Sequence, residues 1–140
     1  LAVIAYTDAQ LRELARLMRA EAEEDGELGM LMVGNVGVNR VRADCLDFED
    51  IRNLEDMIYQ SPGGFEATQM SYFYQGAREM DIRLARRNVQ GERFDPAEYS
   101  LWFFRPDGPC PPQWFGQWNV GRYKAHCFYN PTQADCPNIF

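Results

Sequence analysis

Residues 19–45 read RAEAEEDGELGMLMVGNVGVNRVRADC, and how this stretch divides decides the fold. Its second part, 27–41, is apolar nearly all round, with Leu28, Leu31, Met32, Val33, Val36, Val38 and Val41 leaving no polar stripe. A helix of that kind is buried rather than amphipathic. Gly34 and Gly37 lower its helix propensity, so they are expected to admit close approach of a neighbouring helix. Upstream, Leu11, Leu14, Leu17 and Met18 recur at helical spacing, and Thr7 with Gln10 resembles a capping box that opens a first helix. The acidic run EAEEDGE breaks that helix at Gly26. Two helices joined by a short acidic turn form the predicted core.

Glu21 stands near their junction, on the apolar face of the first helix. At about 100° per residue it lies within about 20° of Leu14 and one turn beyond Leu17. Desolvation there disfavours a carboxylate, so Glu21 is expected to keep its proton near neutral pH. A protonated carboxyl can serve as the general acid that cleaves a glycosidic bond. The competing reading ends the helix near Arg19 and leaves Glu21 in solvent, as most helix glutamates are.

Outward from this core, residues 43–52 read as loop, and Asn53 caps a short helix carrying Leu54, Met57 and Ile58. SPGG (61–64) reads as a turn leading to Phe65 and a helix over 67–75. A further helix over 77–89 places Ala77, Met80, Leu84 and Ala85 on one side, with Arg78, Glu79, Asp81, Arg83, Arg86 and Arg87 on a solvated face. Residues 91–96 are loop. SLWFF (100–104) and YKAHCFY (123–129) read as strands; the second sets Tyr123, Ala125, Cys127 and Tyr129 against Lys124, His126 and Phe128. Between them RPDGPCPPQWFGQWNVGR (105–122) reads as a long functional loop displaying Trp114, Phe115 and Trp118. The predicted class is α+β, a mainly helical body with a small C-terminal antiparallel β-hairpin.

The 140 residues, 46% hydrophobic and 14% aromatic, suffice for a single domain spanning 1–140 with one core. A net charge of −7, from 21 acidic against 14 basic residues, argues against nucleic-acid or anionic-membrane partners but not against an uncharged glycan. No apolar run approaches the roughly 20 residues of a membrane span, and LAVIAYTDAQ lacks the basic start of a secretory signal. A zinc hydrolase normally takes two or more histidines, and His126 stands alone. Cys45, Cys110, Cys127 and Cys136 contain no C-x-x-C pair, and GGF (63–65) lacks the Lys-Ser/Thr of a phosphate loop. A Cys127–His126 nucleophilic pair is disfavoured, since strand neighbours point to opposite faces. Three cysteines fall near the C-terminus, where one local bridge can form; free buried thiols are the equal alternative, and two bridges can be drawn in three ways.

Glycan cleavage survives this pruning. Tyr59, Gln60, Phe65, Tyr72, Trp114 and Trp118 are candidates to line a sugar groove, with ordinary packing the alternative for each. Glu23, Glu24, Asp25, Glu27 and Glu66 are available as a second carboxylate, none singled out, and Glu23 should point almost opposite Glu21.

Four segments in order carry a family likeness: residues 19–45, MIYQSPGGFEA (57–67), SLWFFRP (100–106) and HCFYNP (126–131). Together they resemble the SleB/CwlJ-type cell-wall hydrolases, nearest to the CwlJ-type members, which degrade spore-cortex peptidoglycan during germination. The resemblance implies a lysozyme-like fold, similar to lytic transglycosylases and resuscitation-promoting factors. It puts Glu21-Ala22 at the family's catalytic glutamate, Asn39-Arg40-Val41 at its N-R-V, and Tyr59-Gln60 and Phe65 at its Y-Q…F. The family's Arg-Gly-Glu after that glutamate is replaced by Glu23-Glu24-Asp25, and Glu66 stands where a small residue often follows the phenylalanine. The substrate-binding set expected around Glu21 is Asn39, Tyr59, Gln60, Phe65, Tyr72, Trp114, His126 and Tyr129. As a lytic transglycosylase, the chain would use one glutamate to protonate the leaving oxygen and assist muramic acid's 6-hydroxyl in closing a 1,6-anhydro ring. The alternatives are a hydrolytic muramidase or glucosaminidase, or a non-catalytic cortex-binding coat protein. No cofactor is implied for the chemistry; calcium dipicolinate is implied as an activator and a GerQ-like coat protein as a partner. The implied location is the spore coat or the coat–cortex boundary, after synthesis in the mother cell without a signal peptide.

Overall fold

Thr7 and Gln10 exchange two side-chain-to-backbone hydrogen bonds, each 3.1 Å, so α1 (Asp8–Ala22) opens at the predicted capping box in the computed structural model, which describes residues 1–61 and 64–140. Leu11, Leu14, Ala15, Leu17, Met18 and Ala22 are buried along its inner face. The helix runs through Glu21, which removes the reading that ended it near Arg19. One 3-10 turn over Glu23–Asp25 follows, and Gly26, at φ +81°, takes the left-handed backbone that redirects the chain into α2 (Gly26–Ala43).

From Gly29 to Arg40 every residue of α2 is buried, as its all-round apolar sequence requires. Its glycines admit neighbours. A Cβ on Gly34 would lie 2.0 Å from Asn88 Oδ1, and one on Gly37 would lie 2.8 Å from Met57 Cε. Met57 belongs to α3 (Leu54–Ile58), capped by Asn53 as predicted, and Asn88 to α4 (Glu79–Val89), where its amide donates to the Leu31 carbonyl at 2.9 Å. Asp81 of α4 is not on a solvated face: it is fully buried and accepts from the Arg78 backbone N–H and guanidinium. The helix expected over 67–75 is two 3-10 turns, Glu66–Gln69 and Ser71–Tyr74, separated by the extended backbone of Met70. Of the SPGG turn, Pro62 and Gly63 lie outside the described residues.

Beyond α4 the chain builds a four-stranded antiparallel sheet in the order β1-β4-β3-β2, from β1 (Trp102–Phe104), β2 (Gln113–Trp114), β3 (Gln117–Tyr123) and β4 (His126–Asn130). The expected hairpin, β1 with β4, is therefore one side of a larger sheet, and the predicted loop over 105–122 holds β2 and most of β3. The strand read over 123–129 is divided: Lys124, at φ +49°, reverses the chain, and Tyr123 pairs with His126 across the turn. Tyr123 consequently shares the side of His126, not that of Cys127. Both bridges form, Cys45–Cys136 and Cys110–Cys127, which selects one of the three connectivities. No helix among the described residues is long and apolar enough to cross a membrane.

Candidate functional site

Glu21 comes to lie where α1 ends, half-buried, at the point where two concavities meet. One is a recess of about 390 Å³ under the α1–α2 junction, walled by Arg19, Glu24, Asp25, Tyr72 and His126. The other is a groove of about 940 Å³ along the edge strand β1, walled by Gln60, Phe65, Phe104, Trp114 and Phe115. Ala20, Glu21, Ala67, Met70, Arg105 and His126 border both, so the two form one cleft with Glu21 at its waist.

Burial pushes the Glu21 carboxyl above the ordinary carboxylate range; the Ala67 backbone N–H and the Arg40 cation pull it back, and the charge of Glu66 pushes it up again. Arg40 is held in the protein interior by its Nε, which donates to the Leu101 carbonyl at 2.8 Å, and by the rings of Phe65 and Phe48 at 4.7 and 5.0 Å. Desolvation brings the guanidinium down to about 10, against the opposing pull of Glu21, so it is still cationic at neutral pH.

In the recess, the 3-10 turn after α1 swings Asp25 inward onto β4. Asp25 Oδ2 and His126 Nδ1 are 2.5 Å apart, and both residues are buried, at 6% and 4% exposure. The imidazole packs edge-on against Phe103 at 5.4 Å. Glu23, expected to point almost opposite Glu21, instead stands exposed at the rim of the same recess, because α1 ends at Ala22 and Glu23 opens the 3-10 turn. The Tyr72 hydroxyl donates to it at 2.6 Å and Arg19 at 2.8 Å, and both hold its carboxyl below the usual range.

The groove is lined differently. Trp114 stacks on Phe104 at 4.4 Å and leans on Tyr129 at 5.7 Å, and Phe115 projects from the β2–β3 turn at 87% exposure. Gln60 donates its amide to the Asp47 carbonyl at 2.9 Å, while its Oε1 has no partner among the described residues. No group of three or more His, Cys, Asp or Glu among the described residues is arranged to hold a metal ion.

Of the expected site residues, Glu21, Gln60, Phe65, Tyr72, Trp114 and His126 come together in the cleft. Three do not line it. Asn39 is buried, its amide donating to the carbonyls of Ser100 and Glu98 at 2.9 and 3.1 Å. Tyr129 is buried behind Trp114 with its hydroxyl donating to the Pro111 carbonyl, and Tyr59 packs edge-on against Phe73 beside Glu13. Trp118, 56% exposed, also lies off the cleft. Sequence reasoning named Asp25 as an available carboxylate and Arg40 within the N-R-V segment but gave neither a role in the site, and it did not single out Arg105. An arginine inside an otherwise apolar buried helix was a further signal for Arg40.

A family model described as Cell Wall Hydrolase matches residues 24–129, beginning just past Glu21. The cell wall hydrolase CwlJ of Oceanobacillus iheyensis is 69% identical over 140 residues, covering 100% of this chain and 99% of that protein. CwlJ of Bacillus subtilis is 54% identical over 140 residues, covering 100% and 98%. Among solved structures, the catalytic domain of the Bacillus cereus SleB protein superimposes with a TM-score of 0.73 at 20% identity, over 90% of this chain and 93% of that one. At that identity the likeness is one of fold, and it bears out the lysozyme-like α+β arrangement expected from the sequence.

Proposed function

The chain belongs to the cell wall hydrolase family, and from that premise we propose that it cuts the glycan strands of spore-cortex peptidoglycan during germination, as a lytic transglycosylase with Glu21 as its acid/base. The observation that carries this reading is the placement of Glu21 at the waist of the cleft, with its carboxyl pushed above the ordinary carboxylate range by burial. Glu21 gives its proton to the leaving glycosidic oxygen as the C1–O bond breaks. The resulting carboxylate, steadied by the Ala67 N–H and by Arg40, then takes the proton of the muramic 6-hydroxyl as that oxygen closes on C1. Of the carboxylates that border the cleft, Asp25 is engaged with His126 and Glu23 with Arg19 and Tyr72, while Glu66, whose charge acts on Glu21, and Glu24 are the candidates for a second carboxylate should the reaction be hydrolysis.

The glycan lies along the Trp114–Phe104 wall, where sugar faces stack on rings. A coat–cortex location, a coat partner of the GerQ kind and activation by calcium dipicolinate belong to the same proposal, on family likeness alone. Mass spectrometry of fragments released from cortex by the wild-type protein and by Glu21→Gln tests the chemistry. Anhydro-muramic ends, absent with the variant, are the expected result. Reducing ends would replace transglycosylation by hydrolysis, and release that persists with Glu21→Gln would overturn the role of Glu21.

A further inference from the structure

We infer that Asp25 and His126 form a sugar-hydroxyl acceptor in the recess: Asp25 holds a proton on Nδ1 of the ring, and Nε2 thereby presents a lone pair to a hydroxyl of the bound glycan. This deepens the proposed function and rests on it for the identity of the ligand. His126 is 4% exposed yet borders both halves of the cleft. Its Nδ1 is committed to Asp25, and Nε2 has no hydrogen-bond partner among the described residues. Nε2 is not one of the enclosed unpartnered polar atoms among the described residues, which are Arg16 Nε, Gln60 Oε1 and Asn88 Oδ1, so it keeps access to the cleft where a ligand hydroxyl can reach it.

The direction of that bond follows from the pair. A neutral imidazole donates through one nitrogen and accepts through the other, and the donor side is fixed by the stronger acceptor nearby. An ionised Asp25 accepts only, so the proton of the shared bond sits on Nδ1, and in the neutral imidazole Nε2 is left to accept. Phe103 and Phe128, at 5.4 and 6.5 Å, confine the ring so that it cannot swing away. Asp25 is thus a positioning residue, and His126 the group that meets the sugar.

His126 is the one histidine of the chain, so its ring nitrogens can be followed by NMR without assignment ambiguity. In ¹⁵N-histidine-labelled Glu21→Gln protein, the expected spectrum shows Nδ1 protonated and Nε2 bare, with the Nε2 signal moving when a purified cortex tetrasaccharide is added. A proton on Nε2, or an Nε2 signal unmoved at saturating tetrasaccharide, overturns the inference. In active protein, His126→Gln and Asp25→Asn are expected to raise KM for the same oligosaccharide about tenfold with little change in kcat, the mark of lost binding rather than lost chemistry. A KM within about twofold of wild type in folded His126→Gln protein also overturns it. Should Glu21→Gln still cleave cortex while Nε2 responds to sugar, the reading of Glu21 falls and this one stands.

Discussion

The two halves of the cleft are built from opposite materials. The recess is a charged structure: a buried Asp25–His126 pair behind it, and Arg19, Glu23 and Tyr72 joined at its rim. The groove is a wall of rings at a sheet edge, with Trp114 on Phe104 and Phe115 standing in solvent. Charge fixed in a low-dielectric pocket directs chemistry, whereas flat apolar area holds a polymer without dictating its register. Glu21 sits between them and takes its proton affinity from burial on one side and Arg40 on the other. The lesson is a division of labour along one trench: damage to the waist at Glu21 should appear in turnover, and damage to the recess or the groove in binding.

Glu21→Gln gives the sharpest test, with an expected loss of about 10²–10⁴ in kcat against little change in glycan affinity. The same change should raise the melting temperature at neutral pH. A glutamate whose folded pKa is raised binds its proton more tightly in the native state. It contributes fully below its unfolded value, near 4.5, and that contribution is lost as pH rises through the folded one. Calorimetry at pH 4 and pH 8 checks this, and a variant no more stable than wild type at pH 8 would show that Glu21 is solvated. In the wild type, the rate should fall on the alkaline side at a pH above the ordinary carboxyl range.

Arg40→Met strikes the waist from below. Losing a buried cation and the donor to Leu101 should cost about 2–3 kcal/mol in urea denaturation and move the alkaline limb of the pH–rate profile upward. An unmoved limb would detach Arg40 from the chemistry. Trp114→Ala should raise KM about tenfold and alter kcat by less than about threefold. A fall in kcat instead would break the proposed division between the waist and the groove. Smallest is Phe115→Ala, with stability within about 0.5 kcal/mol of wild type and KM raised about two- to threefold. Isothermal calorimetry with a cortex tetrasaccharide separates the last two.

The helical half was legible because its signals are local. An all-round apolar helix, a capping box and an out-of-place glutamate each declare themselves within a few turns of chain. The sheet was not, and β3 shows why. Along Gln117–Tyr123 the apolar Trp118 and Val120 point outward, 56% and 41% exposed, while Gln117, Asn119 and Gly121 are half-buried. The alternation is present with its polarity reversed, amid enough Pro and Gly to look like loop. The Asp25–His126 pair joins residues 101 positions apart, so no local pattern could announce it. Asn39 misled for the converse reason: its amide is consumed by carbonyls some 60 positions away, at Glu98 and Ser100.

Cys45–Cys136 encloses Cys110–Cys127, so the two bridges are nested and everything from α3 to the sheet lies within a single covalent hoop. A backbone cut anywhere between residues 46 and 135 leaves the oxidised protein as one covalent molecule. A cut before Cys45 does not, because α1 and all of α2 lie outside the hoop. The helix that bears Glu21 is therefore tethered to the sheet by packing and a single strand of backbone, and a cut there frees it from the hoop even with both disulfides intact.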